Sequence, residues 1–183
     1  ETSLPGASKV PRGRLRVDLP SPLASLVVAP ALPRFHAQYP EIQLDLGVSD
    51  RRVDLIDENV ECVLRGGEPT EPWLRARHVA DLPFGVYAAP AYLAHAGTPE
   101  SPHSIAEDGH VVIGYRGSRS GTPTVQTLHR GGEQVRLGGR RVLAVDDGNA
   151  YLAAGVAGAG ILALPRYMAR APLSRKELVP LFE

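Results

Sequence analysis

The sequence predicts an α/β fold made of two lobes with a hinged cleft between them. From residue 14 onward, strand-like and helix-like segments alternate, which implies parallel strands joined by right-handed crossovers. After Gly67 the segments become shorter, and hairpin and loop signals increase. This change indicates a second lobe with strands of both directions. Two lobes joined by two crossing segments can close around a hinge.

Length and composition restrict the class of protein. The 183 residues, of which 43% are hydrophobic, suffice for one large domain or two small lobes. The 20 basic and 20 acidic residues balance, which argues against a chain that grips nucleic acid by itself, because phosphate binding needs a basic surface. No run of 18 apolar residues exists, so no membrane-spanning helix is predicted.

The chain divides into three predicted regions. Residues 1–12 are rich in Pro, Gly and Ser and are predicted to be a linker. The first lobe is predicted to be discontinuous, with residues 13–82 and 161–183, and the second lobe to cover 83–160. The single cysteine, Cys62, excludes a disulfide within the chain. Its position inside a strand-like segment predicts a small buried apolar residue.

Five elements are predicted in the first part of the chain. They are a strand at 14–19, a helix at 23–39, a strand at 42–48, a helix at 51–59 and a strand at 61–65. Pro30 and Pro33 should kink or interrupt the first helix. The strand at 42–48 alternates between apolar and polar residues, which favours an edge position or one partly wet face.

The remaining elements are shorter. Strand-like segments are predicted at 74–80, 84–89, 111–115 and 141–145, a hairpin at 125–137 that turns at 130–132, and a buried strand at 161–165. Short helices are predicted at 90–97, after Asp147 and from Pro165 onward.

Motifs for cofactors and metals carry little weight. The stretch GAGILA at 158–163 has the glycine spacing of a dinucleotide fingerprint. A predicted helix precedes it and a strand follows, the reverse of the order that the fingerprint requires, so a helix C-cap with tight packing is predicted. No two histidines are spaced i, i+4, and Asp146–Asp147 are explained as a helix cap. Neither a cofactor nor a metal is predicted.

Enzyme motifs are also missing from the sequence. It contains neither a phosphate-binding loop nor a GxSxG elbow. Lys9 and Lys176 are not in the apolar surroundings that a Schiff-base lysine needs. A Ser–His–acid constellation remains an open alternative, which would make the chain an enzyme.

The predicted topology points to one edge of the first lobe as a ligand site. In open α/β sheets, ligands bind beyond the carboxyl ends of the strands. Those ends carry Ser21–Pro22, Ser49–Asp50 and Arg65–Gly66. Arg65 offers a forked donor suited to a carboxylate, and the glycine lets a ligand approach the backbone. In the alternative interpretation, Arg65 pairs with a neighbouring acid and the serines only cap helices.

Four segments, taken together, resemble the effector-binding domain of LysR-type transcriptional regulators. They are residues 13–20, 30–69, 74–102 and 145–165. None is diagnostic alone, but their order and spacing are specific, and the resemblance covers nearly all of residues 12–182.

The resemblance implies a fold like a type-2 periplasmic binding protein, with a small-molecule effector in the cleft between the lobes. It also implies a homodimer or tetramer that uses the helix at 23–38, a cytoplasmic location, and no enzymatic activity. Residues 1–12 cannot form the family's N-terminal helix-turn-helix, so the parent protein would read DNA through a part that this chain lacks. The implied effector contacts are Ser21, Pro22, Ser49, Asp50, Arg65, Gly66, Gly114, Tyr115, Asp147 and Asn149. Arg65 and the helix starts favour a small carboxylate as effector.

Two further expectations accompany the resemblance. A solute-binding protein of a transport system would have the same fold and is the alternative function. Family members continue past a segment like 177–182 into another strand and a terminal helix, whereas this chain stops at Glu183. We therefore expect either a truncated protein or a first lobe that lacks this part.

Overall fold

A computed structural model of the chain describes residues 10–51, 59–67, 74–117 and 126–182. It contains two compact units, Glu1–Glu68 and Pro69–Glu183. The predicted helix at 51–59 lies almost wholly outside the described residues. Most of the predicted loop at 116–124 also lies outside them.

The first unit contains a parallel sheet of three strands. Strand β1 (Gly13–Leu19) lies between β2 (Ile42–Val48) and β3 (Cys62–Val63). Both pairings are parallel. The predicted edge position of the second strand is therefore confirmed, and the carboxyl ends of all three strands lie at the same edge of the sheet.

A continuous helical run follows β1, and its two inner prolines do not break it. It consists of α1 (Ser21–Leu23), a π-helical segment (Ala24–Val28) and α2 (Ala29–Gln38). Pro30 has no N–H for the preceding turn. The chain accommodates it with a wider turn, in which the Ala29 N–H donates to the Ala24 carbonyl five residues back.

Cys62 is exposed, so its predicted burial is wrong. Strand β3 is only two residues long and lies at the edge of the sheet. Its alternation therefore leaves Cys62 on the open side, while Val63 is half-buried.

The second unit has three small sheets. Strand β4 (Phe84–Ala88) lies between β9 (Leu162–Pro165) and β10 (Val179–Leu181), and both pairings are antiparallel. Strands β5 (Gly114–Tyr115) and β8 (Ala144–Val145) pair in parallel. Strands β6 (Thr127–Arg130) and β7 (Glu133–Arg136) form the predicted hairpin. Its turn residues, Gly131 and Gly132, both have positive φ, as a two-residue hairpin loop requires.

The described part of this unit also contains four helices. They are α3 (Pro90–Ala96), α4 (Ser104–Glu107), α5 (Gly148–Val156) and α6 (Arg166–Ser174). The strand predicted at 74–80 is absent, because residues 74–83 are irregular. Arg75, Arg77 and Val79 are exposed, so alternation there buries no apolar face.

The C-terminal residues lie with the second unit, a difference from the predicted assignment of 161–183 to the first lobe. Strands β9 and β10 flank β4, and the Ile113 N–H donates to the Ile161 carbonyl. Ile161 and Leu162 are fully buried. From a short apolar run such as 161–165, a buried strand can be predicted, but its pairing partner cannot.

The glycines at 158–160 make the tight turn that the sequence predicts. Gly158 has a φ of +81° and ends the turn after α5, and β9 follows. A Cβ at Gly160 would lie 2.7 Å from the Val111 carbonyl oxygen, so close packing of two backbones requires glycine.

The Tyr151 side chain on α5 belongs to the main core cluster and contacts it through its ring and its hydroxyl group. Its ring is 3% exposed and packs with Ile113, Leu162 and Met168. Its hydroxyl donates to the Ile113 carbonyl and accepts from the Ala163 N–H, each at 3.3 Å. Burial raises the pKa of Tyr151 from 10.0 to about 12, and the hydrogen bond from Ala163 lowers it by less.

Stability is therefore expected to fall as the pH rises from 10 to 12. In this range the unfolded state ionises Tyr151 while the folded state keeps it neutral. The stabilisation is complete below pH 10 and is lost as the pH passes 12, a change of about 2–3 kcal/mol. Urea unfolding at several pH values measures this slope. In Tyr151→Phe the slope should decrease, and an identical slope would exclude Tyr151 as its source.

Candidate functional site

The predicted site residues of the first unit lie at the carboxyl edge of its sheet. Strand β1 ends at Leu19 and β2 at Val48. After β3, the Leu64 N–H donates to the Asp18 carbonyl at 2.9 Å. This bond extends the pairing by one residue and brings Arg65 to the loops that follow β1 and β2.

The Arg65 guanidinium forms hydrogen bonds and an ion pair with residues of β1 and of the segment after β2. Its Nη1 donates to the Ser49 carbonyl at 2.7 Å, and its Nη2 donates to the Arg51 carbonyl at 2.8 Å. Nη2 also pairs with the Asp18 carboxylate. The Asp18 side chain is 4% exposed and that of Arg65 is 22% exposed. The predicted alternative, in which Arg65 pairs with a neighbouring acid, is the arrangement that the structure contains.

The serine and aspartate residues of this edge also contact each other. The Ser21 N–H, at the start of α1, donates to Asp50 Oδ1 at 2.7 Å. Ser49 Oγ accepts from the Arg51 N–H at 3.1 Å. Asp50 therefore takes a backbone donor that was predicted to face a ligand. Pro22 is buried and Gly66 is exposed.

A small cavity of about 150 Å³ adjoins Asp18. Its walls come from β1 and β2, with Arg16, Asp45 and Val60 among the lining residues. Gly47 lies opposite Asp18 in the sheet. A Cβ there would come within 2.9 Å of Asp18 Oδ2, so the glycine provides the space that the Asp18 carboxylate occupies.

The predicted site residues of the second unit lie at one edge of the parallel pair β5 and β8. Gly114 is buried in β5, and Tyr115 packs its ring against Tyr151 with centroids 5.4 Å apart. The Arg116 N–H donates to the Val145 carbonyl at 2.7 Å. Helix α5 begins three residues after β8, so its N-terminus lies beyond the same edge.

Asp147 caps α5 as predicted. Its Oδ1 accepts from the Ala150 N–H at 2.7 Å, and Asn149 is exposed in the first turn. Within the second unit, the four predicted residues Gly114, Tyr115, Asp147 and Asn149 thus lie at the same edge.

Asp147→Ala should destabilise the second unit by about 1 kcal/mol, because a capping carboxylate is lost. Asp146→Ala is the matched control. Asp146 forms an ion pair with Arg116 at 3.3 Å, and both side chains are more than 40% exposed, so its loss should cost less. Thermal unfolding of the two variants measures the difference. Equal losses would contradict the capping role.

The sequence interpretation missed Asp18. It is the acid inside the apolar strand segment Val17–Asp18–Leu19, and alternation places it on the opposite face from its neighbours. A single acid flanked by apolar strand residues is the signal that could have identified it as a buried partner for Arg65.

In the parts of the chain that the structure describes, no group of three or more His, Cys, Asp or Glu side chains could hold a metal ion. No helix among the described residues combines the length and the apolar character needed to cross a bilayer.

Comparison with protein families identifies the chain. Residues 8–183 match the family model described as the LysR substrate binding domain. The chain belongs to this family. An HTH-type transcriptional repressor of Pseudomonas aeruginosa is 35% identical over 161 residues, which are 88% of this chain and 50% of that protein. The HTH-type regulator CrgA of Neisseria meningitidis is 32% identical, over 99% of this chain and 59% of its own length.

Solved structures agree with this assignment. The regulatory domain of CrgA, a LysR-type transcriptional regulator from Neisseria meningitidis, aligns with a TM-score of 0.77 at 31% identity, over 93% of this chain and 81% of that one. Full-length AphB, a virulence activator from Vibrio cholerae, aligns with a TM-score of 0.74 at 25% identity, over 94% of this chain and 58% of that one. The predicted class is confirmed: this LysR substrate-binding domain has an α/β, two-lobe fold like a periplasmic binding protein.

This LysR substrate-binding domain spans only part of its relatives. It covers 50% of the Pseudomonas repressor and 59% of CrgA, both named as HTH-type regulators.

Proposed function

We propose that the chain is the effector-sensing domain of a DNA-binding transcriptional regulator. The observation that carries the proposal is the family match over residues 8–183 together with relatives that are HTH-type regulators about twice as long. A small molecule would bind one arrangement of the lobes better than another and shift the population toward it. A coupling of about 1–3 kcal/mol makes such a shift useful.

The proposed effector contacts are the predicted residues of the two edges. In the first unit the loops after β1 and β2 offer Ser21, Pro22, Ser49 and Asp50, and Gly66 leaves its backbone open to a ligand. In the second unit they are Gly114, Tyr115, Asp147 and Asn149. The Ser21 and Ala150 N–H groups at two helix starts already donate to the carboxylates of Asp50 and Asp147. A small carboxylate, which accepts from the same kind of donor, remains the proposed class of effector.

Arg65 is proposed to act through the protein and not by contacting the effector. Its guanidinium bonds to Asp18, Ser49 and the Arg51 carbonyl. We therefore propose that it positions the loops that face the effector.

Partners and location follow from the same proposal. Leu26 and Val27 on the helical run are 43% and 46% exposed, and covering such residues would support a homodimer or a tetramer through this helix. DNA would be read by an N-terminal helix-turn-helix outside this chain, because a net charge of zero argues against a chain that grips nucleic acid by itself. A DNA-binding regulator of this kind acts in the cytoplasm, not at a membrane, and performs no catalysis.

A ligand screen tests effector binding. The 183-residue chain is heated with small organic acids, and a binder at 100 times its dissociation constant should add about 2.7 kcal/mol of stability. Asn149→Ala should weaken the response. Gln134→Ala, an exposed change on the hairpin strand β7, should leave it unchanged. If the ligand stabilises the Asn149→Ala and Gln134→Ala variants equally, Asn149 does not belong to the site.

A second experiment separates the regulator from the transport alternative. The full-length protein that contains this chain is mixed with fluorescent promoter DNA, with and without the binder. We expect DNA affinity to change with the ligand. A full-length protein that binds the ligand but not DNA would support the solute-binding function instead.

A further inference from the structure

The second unit contains a groove of about 550 Å³ that none of the proposed effector residues lines. Its walls come from α3, the segment 108–111, Arg140 and the residues that follow α5. Alanine side chains and the Tyr92 ring supply an apolar surface. His95, Asp108, His110 and Arg140 supply the charged and polar groups.

The groove and the proposed effector edge lie at opposite ends of the same two elements. Val111 lines the groove, whereas Gly114 and Tyr115 lie further along the same strand-like segment. Helix α5 starts at the effector edge with Gly148 and ends at Val156, and the next residue, Ala157, lines the groove. Its nine residues span roughly 13 Å, so the two places are distinct.

His110 brings a buried hydrogen-bonding group to the groove. The residue is 4% exposed. The Tyr92 hydroxyl accepts from the Val111 N–H at 2.8 Å and lies 3.1 Å from His110 Nδ1. When this hydroxyl donates to Nδ1, the neutral imidazole carries its proton on Nε2.

That Nε2–H has no hydrogen-bond partner among the described residues. Among the described residues, the one side-chain polar atom that is both fully buried and without a hydrogen-bond partner is Gln126 Oε1. His110 Nε2 is therefore not fully buried, and solvent can reach it. Because His110 lines the groove, we infer that the access is through it. A ligand acceptor in the groove can therefore take this hydrogen bond in place of water.

Arg140 adds a positive charge to the same groove. Its backbone is fixed, because its N–H donates to the His110 carbonyl and its carbonyl accepts from the Val112 N–H, each at 2.9 Å. Its side chain is exposed, and its guanidinium makes no bond to any residue that the structure describes. The carbonyls at the ends of α3 and α5 are partly satisfied by the Gly97 and Gly158 N–H groups.

We propose that this groove is a second ligand site, which takes a small monocarboxylate with a compact apolar body. The carboxylate accepts from His110 Nε2–H and from the Arg140 fork, the charge-assisted geometry in which arginine binds best. The apolar body lies against Tyr92 and the alanines. The proposal does not depend on an effector at the other edge.

Binding of benzoate and isobutyrate to the 183-residue chain tests the site, with benzamide and isobutyramide as uncharged controls. Arg140→Ala should weaken carboxylate binding about tenfold or more. Arg141→Ala, which removes the same charge one position away and outside the groove, should change it by less than about twofold. NMR titration should shift the signals of His110, Val111 and Ala157 first.

Two histidine variants separate the ring nitrogens. His110→Asn retains an acceptor near the Nδ1 position and loses the Nε2 donor, so it should bind as poorly as Arg140→Ala. His110→Gln places an amide N–H near Nε2 and should keep most of the affinity. The proposal is overturned if neither carboxylate binds at millimolar concentration, if the amides bind equally well, or if Arg140→Ala and Arg141→Ala behave alike. Arg140 is exposed, so its variant remains informative if a His110 variant does not fold.

Discussion

Arg65→Ala should lower the free energy of unfolding of the first unit by about 3 kcal/mol or more. Its removal breaks the ion pair with the Asp18 carboxylate, whose side chain is 4% exposed. Breaking a buried pair by removing one member costs roughly 3–5 kcal/mol, and the partial exposure of Arg65 favours the lower end. The Ser49 and Arg51 carbonyls also lose their donor.

Urea unfolding with amide exchange of β1 and β2 measures this loss. Arg14→Ala is the matched control, since Arg14 pairs with Asp45 across the same two strands but its side chain is 60% exposed. We expect that control to cost less than about 1 kcal/mol. Adding Asp18→Asn to Arg65→Ala should restore part of the stability, because a buried carboxylate that has lost the Arg65 ion pair is replaced by a neutral amide. Equal effects of the two arginine variants would contradict the structural role of Arg65.

Leu162→Ala should destabilise the second unit by roughly 2–5 kcal/mol, because it empties a fully buried position in the core. Leu162 packs beneath α5, where a Cβ at Gly155 would lie 2.4 Å from Leu162 Cδ1. Gly155→Ala alone is therefore expected to overpack the contact, at a cost of about 1–3 kcal/mol.

The two changes should compensate when combined. The cavity left by Leu162→Ala makes room for the methyl group of Gly155→Ala, so the double variant should lose less than the sum, with a coupling of roughly 1–3 kcal/mol. Calorimetry of the four proteins measures the cycle. Val142→Ala, at a position of the same unit that is 60% exposed, is the control and should have little effect. Strict additivity would show that Gly155 and Leu162 do not share this contact.

Local patterns predicted the parts of the fold that depend on local physics. Alternation identified β1 and β2, and the glycine pair at 131–132 identified the hairpin. Asp147 was recognisable as a helix cap. The pairing of β9 with β4 was not predictable, because it joins residues 75 or more positions apart and a buried apolar run does not indicate which strand it pairs with.

The same limit applies to the candidate site. The sequence placed Ser21, Ser49, Asp50 and Arg65 at one edge, and the structure brings them together there. It could not decide between a ligand and a protein partner for Arg65, because that choice depends on which face of β1 carries Asp18. Cys62 is likewise exposed because β3 is short and lies at the edge of the sheet, which the sequence does not show.

The proposal that one effector contacts both units can be examined by a single NMR titration. A binder from the acid screen is added to the 183-residue chain, and amide shifts are followed at Ser21 and Gly66 in the first unit and at Gly114 and Asn149 in the second. One ligand held by both edges predicts the same half-saturation concentration at all four positions. Shifts confined to one unit, or two clearly different half-saturation concentrations, would contradict it.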